Sequence, residues 1–491
     1  MTRNDVTEAA QVLVVGAGPV GLLLAGDLRR YGVDVVLVDR LARPMTESRA
    51  SQLNARTMEL LDQRGLLEEL GNPQHESAGH FGGLRFDATG TASRHAGNWK
   101  VPQFHTESVL TRWALAAGVD LRREHELCEL RVTDDAVAAV LRTPTGLRTW
   151  RAEYVVGCDG AESTVRALAG FELAGTDAVR ELLRADIEGV RVPDHRFERR
   201  ERGFAASARR PDGVTRVMVH EFGRPPVRRA GPPSFAEIAK VWGTVTGEDI
   251  SGAAPIWLDS FDDACAQATR YRRGRVLLAG DAAHVHMPVG GQALNLGLQD
   301  AANLGWKLAA HLRGWAPPGL LDSYHEERHG VGERVLHNVR AQGLLLFGGA
   351  EVDPVRAVLT ELLAGTGVGN LFARTLSALD VRYDMGPDAA PLLGARMPDL
   401  DLIVDGGRTT VGRLLHDGHG VLLDLTADGA AAERFRAALP AGTDQIRAVT
   451  ARPVREHTDG AVFLLRPDGH VVWTDRVRTP LVRAARHWFG V

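Results

Sequence analysis

A glycine-rich turn near the start of the chain limits its possible folds more than any other feature. The apolar stretch QVLVV (11–15) is typical of a buried β-strand; GAGPVG (16–21) follows it, and a helical pattern of apolar residues continues to Arg30. A second apolar run, 33–38, ends at Asp39. The order strand, turn, helix, strand with the spacing GxGxxG predicts a nucleotide-binding βαβ unit.

Each glycine of this turn has its own physical role. Gly16 permits the tight turn, Gly18 lets the backbone approach a pyrophosphate, and Gly21 allows close packing of the helix. The amides at the helix N-terminus receive the anionic charge. Asp39, 18 residues after Gly21, can accept hydrogen bonds from the ribose hydroxyls of an adenosine. The motif alone does not separate NAD from FAD.

Two later motifs also stand at predicted strand ends. CDGAES (158–163) follows an apolar strand and places Asp159 and Gly160 at its end. The stretch RVLLAGDAAH (275–284) ends a strand with Gly280 and Asp281, where a carboxylate can bind ribityl hydroxyls. Three strand-end motifs in this order are hard to explain as coincidence, and they predict that three distant loops converge on a single FAD.

Composition and charge exclude several classes of partner. The formal net charge is -4, with 58 basic and 62 acidic residues, so the chain has no overall positive field to hold nucleic acid or an anionic membrane. The three cysteines form no CxxC pair, which argues against a disulfide framework or a zinc site and fits a reducing cytoplasm. The apolar run 12–26 is too short and too rich in glycine to span a bilayer. We therefore expect a small-molecule partner and a cytoplasmic location.

The changing patterns along the chain predict an α/β protein of three domains. A Rossmann-type FAD-binding domain takes residues 1–174 and 271–385, with 80–110 partly in the substrate domain. An interleaved β-sheet domain for substrate binding takes 175–270, where alternating strands are predicted. A linker rich in Pro, Gly and Asp then precedes a thioredoxin-like C-terminal domain, 395–491, without a CxxC pair and so without dithiol chemistry.

The motifs resemble those of the single-component FAD-dependent aromatic hydroxylases, which share the para-hydroxybenzoate hydroxylase fold. GAGPVG is similar to the family's dinucleotide motif, CDG to its DG motif, and GDAAH with PVGGQALN (288–295) to its GD motif and flavin-contacting helix start. The resemblance covers the whole chain. The stretches 48–60 and 284–308, with the C-terminal domain, are most similar to hydroxylases of angucycline and anthracycline polyketides. Ala293 stands where the family usually has glycine.

The motifs and the resemblance together imply a set of cofactor-binding residues. They are Gly16, Gly18, Pro19, Gly21, Asp39, Arg40, Arg49, Gln103, Asp159, Gly160, Gly280, Asp281, Pro288, Gly290, Gly291, Ala293, Leu294 and Asn295. Among these, Pro288, Gly290 and Gly291 are the candidates for the flavin edge. No metal site is expected, because no Cys or carboxylate spacing completes a site with His284 and His286.

The resemblance also implies an activity. It is that of a monooxygenase that consumes NADPH or NADH and molecular oxygen, and hydroxylates a polycyclic aromatic polyketide through a C4a-hydroperoxyflavin in antibiotic biosynthesis. Such chemistry depends on positioning and water exclusion, so we name no catalytic side chain. His220 and Tyr271 are candidates for a base that deprotonates the substrate, and neither is assigned that role. Baeyer-Villiger oxygenation, hydroxylation of a simple phenol, a flavin reductase or dehydrogenase, and a flavin-binding scaffold or sensor stay open, as does a homodimer.

Overall fold

The largest sheet of the protein, the N-terminal sheet, carries the first βαβ unit. The computed structural model describes residues 7–45, 50–210, 212–227, 229, 231–440, 443–455, 457 and 459–491. Within these ranges the sheet has six strands in the order Arg272–Arg273, Val276–Leu278, Gly146–Gly157, Thr7–Val15, Val35–Asp39 and Asp120–Arg123. Two more, Glu126–Val132 and Val137–Thr143, extend it as an antiparallel meander. The five strands after Arg272–Arg273 run parallel, so they end at one edge.

The first helix, Pro19–Arg30, packs tightly between this sheet and two other helices. Proline is well suited to the first helical position, where its missing N–H would have no partner in any case. Leu22 and Leu23 are fully buried against the sheet. Gly26 allows a close approach, since a Cβ atom there would lie 2.1 Å from the ring of Trp113. The sheet and helix thus fix the position of the glycine-rich turn.

The middle sheet is entirely antiparallel. Its strand order is Arg196–Arg200, Gly203–Arg209, Thr215–Glu221, Glu181–Glu188 and Ala254–Asp262. The second and third of these strands form a hairpin in which Arg209 pairs with Thr215; Pro211 of its turn lies outside the described residues. The interpretation of 175–270 as strands missed the helix Phe235–Thr246, which begins at the capping residue Ser234 and covers one face of the sheet.

Two long helices connect the sheets. Ala293–Leu312 is buried along nearly its whole length, and Ser323–Phe347, the long helix, runs beside it and reaches the middle sheet. The remaining helices of the first 390 residues are Ala55–Asp62, Leu67–Leu70, Gln103–Ala116, Thr164–Leu168, Asp353–Leu363 and Thr366–Leu376. The remaining strands there are Gln52–Asn54, Gln74–Glu76, Ala78–Phe81, Leu84–Asp87, Asn98–Lys100, Leu173–Thr176, Cys265–Ala268 and His284–Val285. No helix in the described ranges is long and apolar enough to cross a membrane.

The C-terminal part has its own α/β core. Its main sheet has the order Ile446–Thr450, Gly420–Asp424, Val462–Leu465 and Val471–Thr474, with the first pair parallel and the others antiparallel. The other elements are the helices Val411–Leu414, Ala430–Ala438 and Leu481–Phe489 and the short strands Asp401–Val404, Gly407–Thr410 and Arg452–Pro453. This order is thioredoxin-like, and all three cysteines of the chain precede it.

A buried charge network, which we call the interdomain network, fastens this part to the rest. Arg466 is fully buried and forms ion pairs with Glu327 of the long helix at 2.5 Å and with Asp468 at 2.6 Å. Lys307, also fully buried, lies 2.8 Å from the carboxylate of Glu327. The Arg466 guanidinium lies 5.4 Å from the ring centroid of Trp306. The C-terminal part is therefore held by buried ionic contacts as well as by apolar packing.

Local features set two element boundaries that the sequence pattern does not show. The apolar pattern over 54–70 is helical throughout, but the structure has two helices there, Ala55–Asp62 and Leu67–Leu70, because Gly65 has a positive φ of 70° and ends the first helix. The apolar strand before CDGAES is the end of one long strand, Gly146–Gly157.

Candidate cofactor and substrate site

The three glycine and aspartate motifs meet at one edge of the N-terminal sheet. Each follows one of three neighbouring parallel strands. Backbone hydrogen bonds join the strand ends: the Cys158 amide donates to the Val15 carbonyl at 2.8 Å, and the Ala279 amide to the Gly157 carbonyl at 2.9 Å. The carboxyl edge of a parallel sheet is where α/β proteins bind nucleotides. The predicted convergence of the three loops is present in the fold.

The three glycines of the first turn differ in the space around them. A Cβ atom at Gly16, where φ is 103°, would lie 2.4 Å from the Cys158 carbonyl oxygen, and one at Gly21 would lie 2.0 Å from the Gly16 carbonyl oxygen. A Cβ atom at Gly18 would have no heavy atom of the described chain within 4 Å. Gly18 thus leaves open space at the N-terminus of the first helix, which fits a pyrophosphate group.

Asp39 ends the second parallel strand beside this turn. Its Oδ2 accepts a hydrogen bond from the Ala17 amide at 2.7 Å, and its Oδ1 accepts one from the Leu41 amide at 2.8 Å. The side chain is half-buried, and a carboxylate oxygen can accept more than one hydrogen bond, so capacity is left for ribose hydroxyls. Arg40, which follows, is exposed.

Replacing Asp39 by alanine is expected to weaken FAD binding about 10- to 100-fold. Charge-assisted hydrogen bonds contribute roughly 1.5–3 kcal/mol each. The variant loses its hydrogen bonds to the ribose hydroxyls and also the hydrogen bond that the carboxylate accepts from the Ala17 amide. Fluorescence titration of the apoprotein with FAD measures the change. Asp34→Ala is the control, because the Asp34 side chain is exposed and its ion pair with Arg29 is long, at 3.7 Å. An Asp39 variant with the affinity of the unaltered enzyme would refute the ribose assignment.

The Asp159 carboxylate is engaged within its own loop. It accepts hydrogen bonds from the Ser163 hydroxyl at 2.5 Å and from the Val165 amide at 3.0 Å, at the start of the helix Thr164–Leu168. Gly160 has a φ of 82°, which favours glycine. The carboxylate therefore stabilises the loop. That Asp159 and Gly160 link the binding of flavin and nicotinamide stays a prediction.

The third motif is pressed against the first helix. Gly280 has a φ of 63°, and a Cβ atom there would lie 3.0 Å from the side chain of Val20. Asp281 is exposed beside it. The close contact between Gly280 and Val20 puts the GD loop next to the glycine-rich turn, and a ribityl-binding role for Asp281 stays a prediction.

A buried ion cluster that the sequence analysis missed fixes the GD loop from behind. Asp300 is fully buried; its Oδ1 accepts a hydrogen bond from Nε of Arg328 at 2.7 Å, and its Oδ2 lies 2.7 Å from Nε2 of His284. The Gly280 amide donates to the same carboxylate at 3.2 Å. Burial alone would raise the pKa of Asp300, but Arg328 and His284 outweigh it and lower that pKa. His284 therefore serves this cluster.

The loop from Pro288 to Gly291 is the predicted flavin edge. Val289–Gly291 forms a tight turn with non-helical backbone, in which Gly290 and Gly291 have φ values of 72° and 65°. A Cβ atom at Gly290 would lie 2.8 Å from Nε2 of Gln342 on the long helix. Both glycines are needed for this conformation, and Pro288 before them is exposed.

Asn295 holds this loop with its side chain. Its Nδ2 donates to the carbonyls of Gly291 at 2.7 Å and Gln52 at 3.1 Å, and its Oδ1 accepts from the Asn54 amide at 2.9 Å. These bonds occupy both donor hydrogens and leave one lone pair of Oδ1. The loop is thus fixed by protein contacts, so a contact with flavin at this residue would come mainly from the backbone.

The other predicted residues lie around the same edge. Pro19 is buried at the first turn of its helix, while Ala293 and Leu294 are half-buried at the start of Ala293–Leu312. Gln103 begins the helix Gln103–Ala116, and its Oε1 accepts from the Ala50 amide at 3.2 Å. Arg49 lies outside the described residues.

A small sheet brings further polar side chains to the loop. Nε2 of Gln52 donates to Oδ1 of Asn98 at 2.8 Å, and the ammonium group of Lys100 lies 3.4 Å from Oε1 of Gln52. Gln52 itself contacts Gly291. No sequence motif marks these residues, because they are brought together by pairing between short strands that are distant in sequence.

The middle sheet presents an apolar face beside the predicted flavin edge. We call this cluster the apolar face; it combines strand residues, the residue before Pro288 and residues of the long helix. Its buried members are Leu182, Phe204, Ala206, Met287, Val339, Leu346 and Phe347. His220 and Tyr271, the candidates for a substrate base, are both buried. His220 lies on the middle sheet, and the Tyr271 hydroxyl accepts a hydrogen bond from Gln267 at 2.7 Å. The arrangement suits an apolar ligand held next to a flavin.

Comparison with known proteins agrees with this geometry. Residues 9–339 match the FAD binding domain family, and residues 390–491 match the aromatic-ring hydroxylase C-terminal family. Rifampicin monooxygenase of Streptomyces venezuelae is 41% identical, over 98% of each chain. The solved structures of BexE, studied for oxidation during BE-7585A biosynthesis, and CabE, an aromatic hydroxylase from angucycline biosynthesis, are 47% and 45% identical; each has a TM-score of 0.93 and covers 98% of this chain and 99% of its own.

The chain belongs to the family of FAD-binding aromatic-ring hydroxylases. It is a flavin-dependent monooxygenase with the para-hydroxybenzoate hydroxylase fold, and FAD is its cofactor. NADPH or NADH and molecular oxygen are the usual co-substrates of the class. The predicted fold class, enzyme class and cofactor are thereby confirmed.

Proposed function

We propose that this enzyme hydroxylates a ring of a polycyclic aromatic polyketide in antibiotic biosynthesis. The observation that carries the proposal is the apolar face, which begins at Met287, directly before the flavin-edge loop, and continues across the middle sheet to Phe204 and Phe347. This cluster is buried between the middle sheet and the long helix, so the region beside the flavin-edge loop is apolar, as a site for an aromatic substrate requires. CabE, an aromatic hydroxylase from angucycline biosynthesis, supports this substrate class by its similarity.

The chain's own groups bind and position the reactants in this proposal. The glycine-rich turn would hold the pyrophosphate, Asp39 the adenosine ribose and Asp281 the ribityl chain. FAD, reduced by the nicotinamide, supplies the oxygen-activating chemistry when bound. The apolar face keeps water from the reacting ring and fixes which carbon lies at the flavin edge.

In this proposal each domain has one role. Residues 1–174 and 271–385 form the FAD-binding domain, 175–270 the substrate domain, and 395–491 a C-terminal domain without redox chemistry. The hairpin of Ala78–Phe81 and Leu84–Asp87 packs on the long helix and contacts Phe197 of the middle sheet, which supports a share of 80–110 in the substrate domain.

An oxygen-labelling experiment tests the function. The purified holoenzyme is incubated with NADPH or NADH, isotopically labelled dioxygen and a panel of mono- and polycyclic phenols. We expect polycyclic phenols to stimulate flavin reduction and to gain one labelled hydroxyl oxygen, measured by product mass. Stimulation by small phenols alone would overturn the polyketide assignment. A ring-expanded ester would indicate Baeyer-Villiger oxygenation instead, and conversion without label would indicate a dehydrogenase.

A further inference from the structure

A narrow cavity lies between the long helix and the helix Ala293–Leu312, and we call it the helix cavity. One end of it is deeply buried: Asn54, Gln292 and Leu296 line this inner end, and each is no more than 5% exposed. The other end lies near the surface, where Arg334 of the long helix lines the cavity with a side chain that is 45% exposed. The helix cavity therefore runs from the surface into the interior.

The inner end of the helix cavity lies directly behind the predicted flavin-edge loop. Gln292 follows Gly291, the last residue of that loop. The Asn54 amide donates to Oδ1 of Asn295 at 2.9 Å, and Nδ2 of Asn295 donates to the Gly291 carbonyl at 2.7 Å. A small molecule at the inner end would thus lie beside the residues that hold the loop in place.

The outer end of the helix cavity adjoins a much wider groove. Val331, Arg334 and Val381 line the cavity and also line this groove, which lies between the long helix and the C-terminal domain. The centre of a water-sized molecule can occupy about 800 Å³ of the groove. Small molecules in solution therefore have ready access to the outer end of the cavity.

The size and the walls of the helix cavity suit a small apolar molecule. The centre of a water-sized molecule can occupy only about 20 Å³ of it, so an aromatic ring or a nicotinamide does not fit. Apolar atoms make up most of its surface. Nδ2 of Asn54 donates to the Leu376 carbonyl at 3.2 Å, and the Thr375 hydroxyl donates to Asp380 at 2.8 Å. A buried water needs about two to four polar partners, and this cavity offers it few.

We propose that the helix cavity is the route by which dioxygen reaches the flavin edge. Dioxygen is a usual co-substrate of this class of enzyme. It is apolar, so its transfer from water into an apolar cavity is favourable. This inference goes beyond the proposed function and holds for any aromatic compound that the enzyme hydroxylates.

Krypton binding to crystals of the holoenzyme tests the site directly, because krypton is apolar and close to dioxygen in size. We expect anomalous scattering from krypton between Gln292 and Val331 in the unaltered enzyme. Val331→Phe should abolish it, because the larger side chain fills the cavity, and Val331→Ala should increase it. Ordered water in place of krypton, bonded to the Gln292 amide, would assign the cavity to water and overturn the proposal.

The rate of flavin reoxidation tests the route. The holoenzyme is reduced with dithionite without any aromatic substrate and is then mixed with oxygenated buffer. Dioxygen takes two electrons from the reduced flavin and, with two protons, leaves as hydrogen peroxide. We expect Val331→Phe to reoxidise about tenfold more slowly than the unaltered enzyme. Val331→Ala should reoxidise at least as fast as the unaltered enzyme.

The matched control is Val358→Phe. It makes the same substitution on the helix Asp353–Leu363, where the valine is 57% exposed and lies outside the described residues that line the cavity. It should leave krypton binding and reoxidation unchanged. An unchanged reoxidation rate in a Val331→Phe enzyme that excludes krypton would show that dioxygen enters elsewhere. Slower reoxidation with krypton still bound would show an effect on the flavin rather than on access. Either result would overturn the proposal.

Discussion

A Gly18→Val enzyme is expected to fold normally and to purify without flavin. Gly18 has a φ of -74°, which any residue adopts, and no heavy atom of the described chain lies within 4 Å of where its Cβ would be. The valine side chain therefore fits the folded protein but fills the space where a pyrophosphate approaches the amides of the first helix. We expect the affinity for FAD to fall at least about a hundredfold, or roughly 3 kcal/mol.

Flavin absorbance of the purified variant and its circular dichroism on heating measure binding and folding separately. Gly21→Ala is the matched contrast, because its Cβ would lie 2.0 Å from the Gly16 carbonyl oxygen and must displace backbone. That variant should lose stability with or without FAD, by about 1–3 kcal/mol. A yellow Gly18→Val protein with ordinary FAD affinity would show that the pyrophosphate binds elsewhere.

An Arg466→Leu enzyme is expected to lose about 3–5 kcal/mol of unfolding free energy. The leucine side chain leaves the carboxylates of Glu327 and Asp468 buried without their shared cation, and Lys307 and neutral donors such as Asn303 compensate for it only in part. Urea denaturation followed by tryptophan fluorescence suits the measurement, since the Trp306 ring lies against Arg466. Arg151→Leu, which breaks an ion pair whose side chains are 60% and 72% exposed, should cost less than about 1 kcal/mol.

The pH dependence of stability gives a second measurement on the same network. Burial would raise the pKa of Glu327, but Arg466 and Lys307 outweigh it and lower that pKa to about 2, from its ordinary value of 4.5. A depressed carboxyl pKa contributes stability that is complete above about 4.5 and is lost as pH falls toward 2. The Arg466→Leu enzyme should lose much of this acid dependence. An unchanged pH profile in the variant would place the origin of acid sensitivity outside the network.

The cofactor edge was predictable because its signals are local. GAGPVG, CDG and GD each follow an apolar strand, and a tight turn with a close backbone approach requires glycine whatever the distant contacts are. Parallel strands then bring their ends together, so the local signals predicted a three-dimensional convergence. The side chains of Asp159 and Asn295 use their polar atoms largely for protein hydrogen bonds, and the cofactor roles predicted at these two positions stay predictions.

What the sequence did not reveal depends on pairs of residues far apart in the chain. Asp300 contacts Arg328 and His284 only when two helices and a loop are packed together, and no spacing of residues along the chain predicts such a cluster. One signal was available, since a carboxylate inside an otherwise apolar helix must find a partner. His80 lies on a short strand of a two-stranded hairpin, and its approach to Phe197 is set by tertiary packing alone.

The interdomain network constrains how this enzyme can be recombined with its relatives. Lys307 belongs to the helix Ala293–Leu312, whose first turn adjoins the predicted flavin-edge loop, so one helix about 30 Å long connects that loop to the C-terminal domain. A chimera that takes its C-terminal domain from another protein would need an arginine at position 466 to form the ion pair with Glu327. A crossover in the linker would therefore give a stable chimera only when both parent proteins carry the same buried charged residues.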